Sequence, residues 1–252
     1  MEAQPPDVLA LLSDPVRWQL VAELGRSDRR VGELVQLVGK PQNVVSYHLA
    51  ELRRSRLVSA RRSSADGRDV YYRAHLFRCR DLLAVAGGSL HPGLSMRPLD
   101  GMARPRRAKV LFLCTGNSAR SQIAEALVQH RSKGVVDARS AGSHPKALHP
   151  NAVRVMAERG INIAGRPTKP LTRFARSRFE QVITLCDKVR EVCPEFPGSP
   201  TTAHWSIPDP AATAGDDVSY LAFEQVADDI EERVTLLLAE LSAPPTRRNH
   251  HV

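Results

Sequence analysis

The sequence predicts an α/β protein in two parts: a small α+β unit built on a helix-turn-helix with a β-hairpin wing, then a larger unit in which helices flank a parallel sheet. Three observations predict it. The chain has 252 residues, long for one ordinary domain and suited to two. Its charge is uneven: through Arg107 there are 18 basic and 11 acidic residues, a net +7, and beyond it 18 and 16, a net +2. Its hydrophobic periodicity also changes, from short helical stripes and one hairpin pattern to strand-like apolar runs that alternate with helical ones.

Along the first part, Asp14 before Pro15 reads as an N-cap and first helical turn, and Val16, Leu20, Val21 and Leu24 recur at helical spacing before Gly25. A second short helix covers 31–38 and stops at Gly39. Pro41 opens a third, to about Arg54, in which Val45, Leu49 and Leu52 form the buried stripe while Gln42, Asn43, Ser46, Tyr47 and His48 face away. Two short helices around a Gly-containing turn, the second with a polar outer face, make the helix-turn-helix. Residues 57–62 and 69–73 are strand-like, and the Asp66-Gly67 pair between them marks a hairpin turn, hence the wing. A final helix from His75 to about Ala86 closes a domain over 1–86. Residues 87–107, rich in Gly, Pro and basic side chains, read as a linker.

The second domain spans 108–243. Residues 109–114 form an apolar strand, 115–120 a loop and 121–129 a helix, the opening of an α/β unit. Further strands are expected at 135–139 and 181–185, and helices at 151–159, closed by Gly160, and at 219–241, where Leu221, Val226, Ile230, Val234 and Leu238 keep a helical period. Strands alternating with helices imply a parallel sheet covered on both faces. Residues 244–252 read as a disordered tail.

Composition excludes several classes of function. The longest uncharged run near the middle, 82–96, is broken by glycines and a proline and is too short to span a bilayer, so no membrane partner is expected. The N-terminus lacks a basic segment followed by an apolar one, which makes the cytoplasm the expected compartment. Four cysteines there point to reactive or metal-binding thiols rather than structural disulfides. The basic first part points to a polyanion, with nucleic acid ahead of an anionic membrane surface.

The sharpest motif is Cys114-Thr115-Gly116-Asn117-Ser118-Ala119-Arg120-Ser121, a C-x5-R-S loop between an apolar strand and a helix. A loop that wraps into a helix N-terminus aims several backbone N–H groups at one point, and the helix dipole adds positive potential, so a tetrahedral oxyanion fits there. Gly116 permits the tight backbone path, and Arg120 offers a planar fork to two oxyanion oxygens. A thiol among these donors ionises well below about pH 8.5, which makes Cys114 the candidate nucleophile, with Ser121 placed to steady the thiolate. The bland alternative is a buried strand-end cysteine and a surface arginine.

The loop, with Val110-Leu111-Phe112-Leu113 before it and Gln122-Ile123-Ala124-Glu125-Ala126 after it, resembles the low-molecular-weight protein tyrosine phosphatase family, and within it the arsenate reductases. The resemblance implies a phosphatase I-like fold, a Cys114 nucleophile and an oxyanion site made by 115–120. A late Asp before Pro acts as general acid in that fold, and His204-Trp205-Ser206-Ile207-Pro208-Asp209-Pro210 makes Asp209 that residue. The second pair, Cys186 and Cys193, lies just after the strand at 181–185. A phosphatase needs no such pair, whereas reducing arsenate to arsenite takes two electrons that thiols supply by successive exchange.

Resemblance to thioredoxin-coupled arsenate reductases implies attack by Cys114 on arsenic, by Cys186 on Cys114, and by Cys193 on Cys186, with thioredoxin as external reductant. Other relatives draw on mycothiol with mycoredoxin, or on glutaredoxin, and no bound cofactor is expected. Seven residues of regular helix carry the second sulfur about 10 Å from the first, too far for a disulfide, so the intervening segment must loop or unwind. Core packing is the alternative for the pair. A zinc site lacks two further ligands at suitable spacing, and no metal is expected.

The first domain is similar to the ArsR-type winged-helix repressors over residues 7–85, in Leu12-Ser13-Asp14-Pro15-Val16-Arg17, in Val45-Ser46-Tyr47-His48-Leu49-Ala50-Glu51-Leu52 and in Val70-Tyr71-Tyr72-Arg73. The likeness implies a homodimer that lays the third helix in the major groove of a double-stranded operator. Gln42, Asn43, Ser46, Tyr47 and His48 would then meet bases, and Arg53, Arg54, Arg61, Arg62 and Arg68 phosphates. The alternative for these arginines is a solvated face. Where the family has a Cys-x-Cys arsenite site this chain has Arg30-Val31-Gly32, and Cys79 stands alone, so any response to arsenic is expected through the second domain or an unusual site. Three readings of the whole follow: an arsenate reductase fused to a regulator of arsenic resistance, a tyrosine phosphatase with a DNA-binding module, or a repressor whose second domain only senses an oxyanion.

Overall fold

The computed structural model describes residues 7–94, 104–212 and 216–243. The chain forms two compact units, one of Met1–Arg97 with Ala203–Ser206 and one of Pro98–Thr202 with Ile207–Val252. No helix among the described residues is long and apolar enough to cross a membrane.

In the first unit the order is α1 (Asp7–Leu12), α2 (Pro15–Arg26), β1 (Arg29–Arg30), α3 (Val31–Val38), α4 (Gln42–Arg54), β2 (Val58–Arg62), β3 (Val70–Ala74) and α5 (Leu76–Leu90). Asp14 starts α2 because its carboxylate accepts the N–H groups of Val16 (2.9 Å) and Arg17 (3.0 Å), two donors a helix start leaves without partners. Gly39 ends α3 in the left-handed conformation (φ 65°), its N–H on the Val35 carbonyl. Leu20, Leu34, Leu49 and Leu52 are buried where α2, α3 and α4 meet. The strands order β1-β3-β2, with β2 and β3 paired antiparallel as the wing. Three details differ from the sequence reading. Helix α1 and the two-residue β1 were not expected, α2 continues through Gly25, and α5 runs past Ala86 to Leu90.

After α5 the chain contains β4 (Ala108–Cys114), α6 (Arg120–Arg131), β5 (Val136–Gly142), α7 (Pro150–Glu158), β6 (Gln181–Thr184), α8 (Asp187–Glu191), β7 (Thr201–His204) and α9 (Asp216–Ser242). The sheet order is β5-β4-β6-β7, and β4 is parallel to both β5 and β6. As the strand between them, β4 is buried at every residue except Lys109, as a parallel strand covered on two sides requires. Register sets Cys114 opposite Gly142 and Leu113 opposite Thr184, so the strand ends that carry the motifs lie side by side. This is the α/β class expected, with α8 and the edge strand β7 as additions.

One stripe needs correcting. In α9 the buried face is Phe223, Val226, Ala227, Ile230, Val234, Leu237 and Leu241, so the expected Val226, Ile230 and Val234 are on it, whereas Leu221 is 56% exposed. At about 100° per residue, Leu221 sits roughly 200° from Phe223 and cannot share its face. The expected tail at 244–252 and nine residues of the expected linker, 95–103, lie outside the described residues.

Candidate active site

Strand β4 runs out at Cys114, and the chain turns through 115–119 before α6 begins at Arg120. The loop is held from outside by its carbonyls: Thr115 accepts from the His144 N–H, Gly116 from Lys146 and Ser118 from His149, each at 2.9 Å. With carbonyls turned outward, the loop's own N–H groups are left for partners on the other side. The Asn117 N–H donates to Cys114 Sγ (3.2 Å), and Ser121 Oγ lies 3.0 Å from the same sulfur. Of the two glycines at the loop, Gly142 is the one that the path requires. A Cβ on Gly116 would sit 2.9 Å from Ser118 Oγ, and one on Gly142 would meet loop backbone at 2.6–3.0 Å.

Arg120 is 6% exposed. Its Nη1 donates to the Ile207 carbonyl (3.0 Å) and its Nη2 lies 3.1 Å from Asp209 Oδ2. The structure therefore brings the predicted arginine and the predicted acid onto one another, with the half-exposed Asp209 carboxylate toward solvent. An arginine already fixed on two sides keeps its fork aimed without further loss of side-chain freedom.

The cysteine pair divides. Cys186 is buried, and its sulfur is 3.2 Å from Thr115 Oγ1, on the first residue of the loop. It follows the Leu185 N–H to Leu113 carbonyl bond (2.7 Å), which continues the β4–β6 ladder to the loop's base. Cys193 lies beyond α8, which is helical for five residues and ends before it. That matches the expected break in the helix. Its half-buried thiol contacts the Pro194 carbonyl (3.7 Å), and burial pushes its pKa up. All four cysteines are free thiols.

Beneath the loop lies a polar group in which the sequence points to Asn117 and Ser121 but not to their partners. Asn117 is fully buried with φ 48°, a left-handed conformation that Asn tolerates better than most residues. Its Nδ2 donates to Ser121 Oγ (2.9 Å) and Ser140 Oγ (2.8 Å), and its Oδ1 accepts from the Lys169 N–H (2.8 Å) and Gln122 Nε2 (3.3 Å). Ser140 donates to Glu125, whose Oε2 also accepts from Lys169 Nζ (3.0 Å). A Glu at the sixth helical residue and a Lys 44 positions later carry no shared local pattern, so only the fold reveals them.

In the first unit Gln42, Asn43, Ser46 and Tyr47 are exposed on one side of α4, but His48 is not. Its side chain is 12% exposed, with Nδ1 3.7 Å from Asp14 Oδ1, and so faces the α2 cap rather than the outer surface. Among the arginines, Arg53 is exposed, Arg54 pairs with Glu51 (2.6 Å), Arg62 donates to the Gly67 carbonyl (3.1 Å) and Arg68 pairs with Asp66 (2.8 Å). Arg61 is half-buried and donates to the Arg62 carbonyl (2.9 Å). Cys79 belongs to the hydrophobic core, where burial raises its thiol pKa, a setting for packing rather than reactivity.

What the fold and the loop define is an α/β protein with a buried thiol where a central strand passes through a tight loop into a helix, preceded by a helix-turn-helix unit. Residues 109–246, more than half of the chain, match the family model for low molecular weight phosphotyrosine protein phosphatase, and the chain belongs to that family. Residues 14–60 match the model for bacterial regulatory protein, arsR family. Over 126 residues the chain is 36% identical to an arsenate reductase of Halalkalibacterium halodurans, an alignment covering 50% of this chain and 91% of that protein. A glutaredoxin arsenate reductase of Synechocystis is 33% identical over 134 residues, covering 53% of this chain and 98% of the relative. A solved arsenate reductase in its oxidized state is 30% identical, covers 54% of this chain and 99% of its own, and superposes with a TM-score of 0.48.

Proposed function

We infer that the second unit reduces arsenate to arsenite and that the first binds DNA as a transcriptional regulator of arsenic resistance. The observation that carries the enzymatic reading is Cys186 against the 115–120 loop, its sulfur 3.2 Å from Thr115 Oγ1. Hydrolysis of a phosphate ester has no use for a second thiol there. In the proposed sequence the Cys114 thiolate attacks arsenic(V), held by the loop amides and the Arg120 fork, while Asp209 protonates the oxygen that leaves as water. Cys186 then attacks Cys114 Sγ. The sulfur–arsenic bond breaks with its electron pair going to arsenic, arsenite leaves, and a Cys114–Cys186 disulfide remains. Cys193 attacks Cys186 and restores the Cys114 thiolate, and an external thiol reductant, thioredoxin or a mycothiol-linked mycoredoxin, reduces the Cys186–Cys193 disulfide.

On the DNA side, α4 would present Gln42, Asn43, Ser46 and Tyr47 to the major groove, with Arg53, Arg54, Arg62 and Arg68 available to phosphates, in a homodimer formed through the winged-helix domain. His48 and Arg61 act there by support more than by contact, since both are drawn inward. The cytoplasm, which holds both DNA and reduced thioredoxin, is the matching compartment.

The test is arsenate-dependent oxidation of reduced thioredoxin, followed through thioredoxin reductase and NADPH. Loss of turnover in Cys114→Ser, Cys186→Ser and Cys193→Ser alike is expected. Hydrolysis of para-nitrophenyl phosphate that needs Cys114, Arg120 and Asp209 but ignores Cys186, with no arsenate turnover, would replace this reading with a phosphatase. Oxyanion-modulated DNA binding without turnover of either substrate would leave a sensor.

A further inference from the structure

The Glu125–Lys169 pair is the feature that the reaction above leaves unused, and its position is unusual for an ion pair. Both side chains are nearly closed to solvent, at 7% and 11% exposure, directly behind the loop that carries Cys114. Taking two charges out of water is costly, and a buried pair is rarely the most stable solution for its volume. What this pair does is set a direction. A carboxylate paired with an ammonium accepts hydrogen bonds and donates none. Ser140 must therefore spend its one hydrogen on Glu125, and its oxygen accepts from Asn117 Nδ2 (2.8 Å). Asn117 is held the right way round by the Lys169 N–H on its Oδ1 (2.8 Å), so its second Nδ2 hydrogen goes to Ser121 Oγ (2.9 Å). Ser121, already accepting from Asn117, keeps its own hydrogen for Cys114 Sγ at 3.0 Å.

We propose that Lys169 is a positioning residue for the nucleophile: its ammonium keeps Glu125 an acceptor, and Glu125, through Ser140 and Asn117, fixes the direction in which Ser121 hydrogen-bonds Cys114. Lys169 touches neither substrate nor sulfur. It acts twice on Asn117, through the carboxylate chain with its side chain and through Oδ1 with its backbone N–H. Only the side chain is removable by substitution, which makes the first route testable by itself. Without the ammonium, Glu125 loses the cation that anchors its carboxylate against Ser140; the carboxylate is then free to turn away, and the chain of donors that commits the Ser121 hydroxyl to Cys114 is cut at its first link.

The proposal deepens the reading of Cys114 as nucleophile and rests on it, but its test needs no arsenate. The pH dependence of Cys114 alkylation by iodoacetamide is followed in the full chain by peptide-resolved mass spectrometry. In Lys169→Ala the midpoint is expected to rise by about one pH unit, roughly a tenfold loss of thiolate at a fixed pH below it. Ammonium chloride should pull it back, and tetramethylammonium chloride at the same ionic strength should not, because only the smaller cation fits beside Glu125. Ser140→Ala, which leaves the ion pair intact and cuts the chain one link nearer the sulfur, should move the midpoint the same way. It serves as the test if Lys169→Ala does not fold. A variant that melts at lower temperature yet alkylates with the wild-type midpoint overturns the proposal, as does equal rescue by both cations. A wild-type protein that ignores arsenate overturns the functional reading and leaves this one standing.

Discussion

Gly142 shows how much of the site depends on residues with no chemistry. It ends β5 opposite Cys114, its N–H bonds the Lys169 carbonyl (2.8 Å), and the Thr115–Asn117 backbone passes where a side chain would be. Gly142→Ala would place a Cβ 2.6 Å from the Thr115 carbonyl oxygen and 2.8 Å from the Asn117 nitrogen, neither of which can yield without moving the loop. Arsenate turnover should fall by about 100-fold, the scale set by displacing reacting groups by about 1 Å. Gly67→Ala, in open space, should leave it unchanged. Comparison of kcat/KM across the two variants checks this, and a Gly142→Ala protein with wild-type turnover would show that the loop can give. At this scale the sequence was most legible where chemistry is contiguous: the run from Cys114 to Ser121 names its own strand, loop and helix. Gly142, Ser140 and Lys169 were invisible because they reach the loop from other strands and segments. No local spacing encodes an approach that only the sheet register creates.

At the scale of elements, caps and periodicity were readable, and misreadings came from glycine. Gly39 stops a helix where the sequence places the stop, because its φ of 65° suits no other residue as well. Gly25 and Gly87 look alike in sequence but sit inside helices. A Cβ on Gly87 would lie 2.6 Å from the Leu94 carbonyl oxygen, so that glycine serves close packing of the Pro92–Leu94 turn on α5, not a helix end. The short edge strand β7, exposed at its first two residues, has no apolar alternation to announce it. Asp14, by contrast, declared its role. Asp14→Ala should destabilise the start of α2 by about 1 kcal/mol, and Asp14→Asn by much less, since an amide oxygen still caps. Hydrogen bonds from the Arg17 N–H hold the Asp14 carboxyl below its ordinary value, with His48 beside it contributing. A depressed carboxyl lends stability that is fully present above its unfolded pKa and disappears as pH falls through the folded one. Amide exchange at Val16 and Arg17 measures both effects: protection should drop in Asp14→Ala at neutral pH, and in wild type only below about pH 4.

For the molecule as a whole, the legible quantity was the division of charge, +7 through Arg107 against +2 beyond it. What it implies for function depends on where the charges stand. Net positive charge alone attracts any polyanion weakly and everywhere, whereas a docked surface releases a definite number of counterions per contact. Arg53, exposed in the last turn of α4, is placed to neutralise a phosphate if α4 enters the major groove, whereas Arg173 is an exposed arginine of the second unit with no part in the helix-turn-helix. Each substitution lowers the net charge by one, so the two variants separate position from total. Binding of the full chain to a random-sequence duplex, titrated between about 50 and 200 mM salt, should give a log–log slope that is shallower by about 0.9 per bound protomer in Arg53→Ala. Arg173→Ala should keep the wild-type slope. Equal flattening in both would mean that the first unit's charge acts as a diffuse field and that α4 does not dock. Flattening by Arg53→Ala alone ties the +7 to a surface, and makes the helix-turn-helix the place where the protein meets DNA.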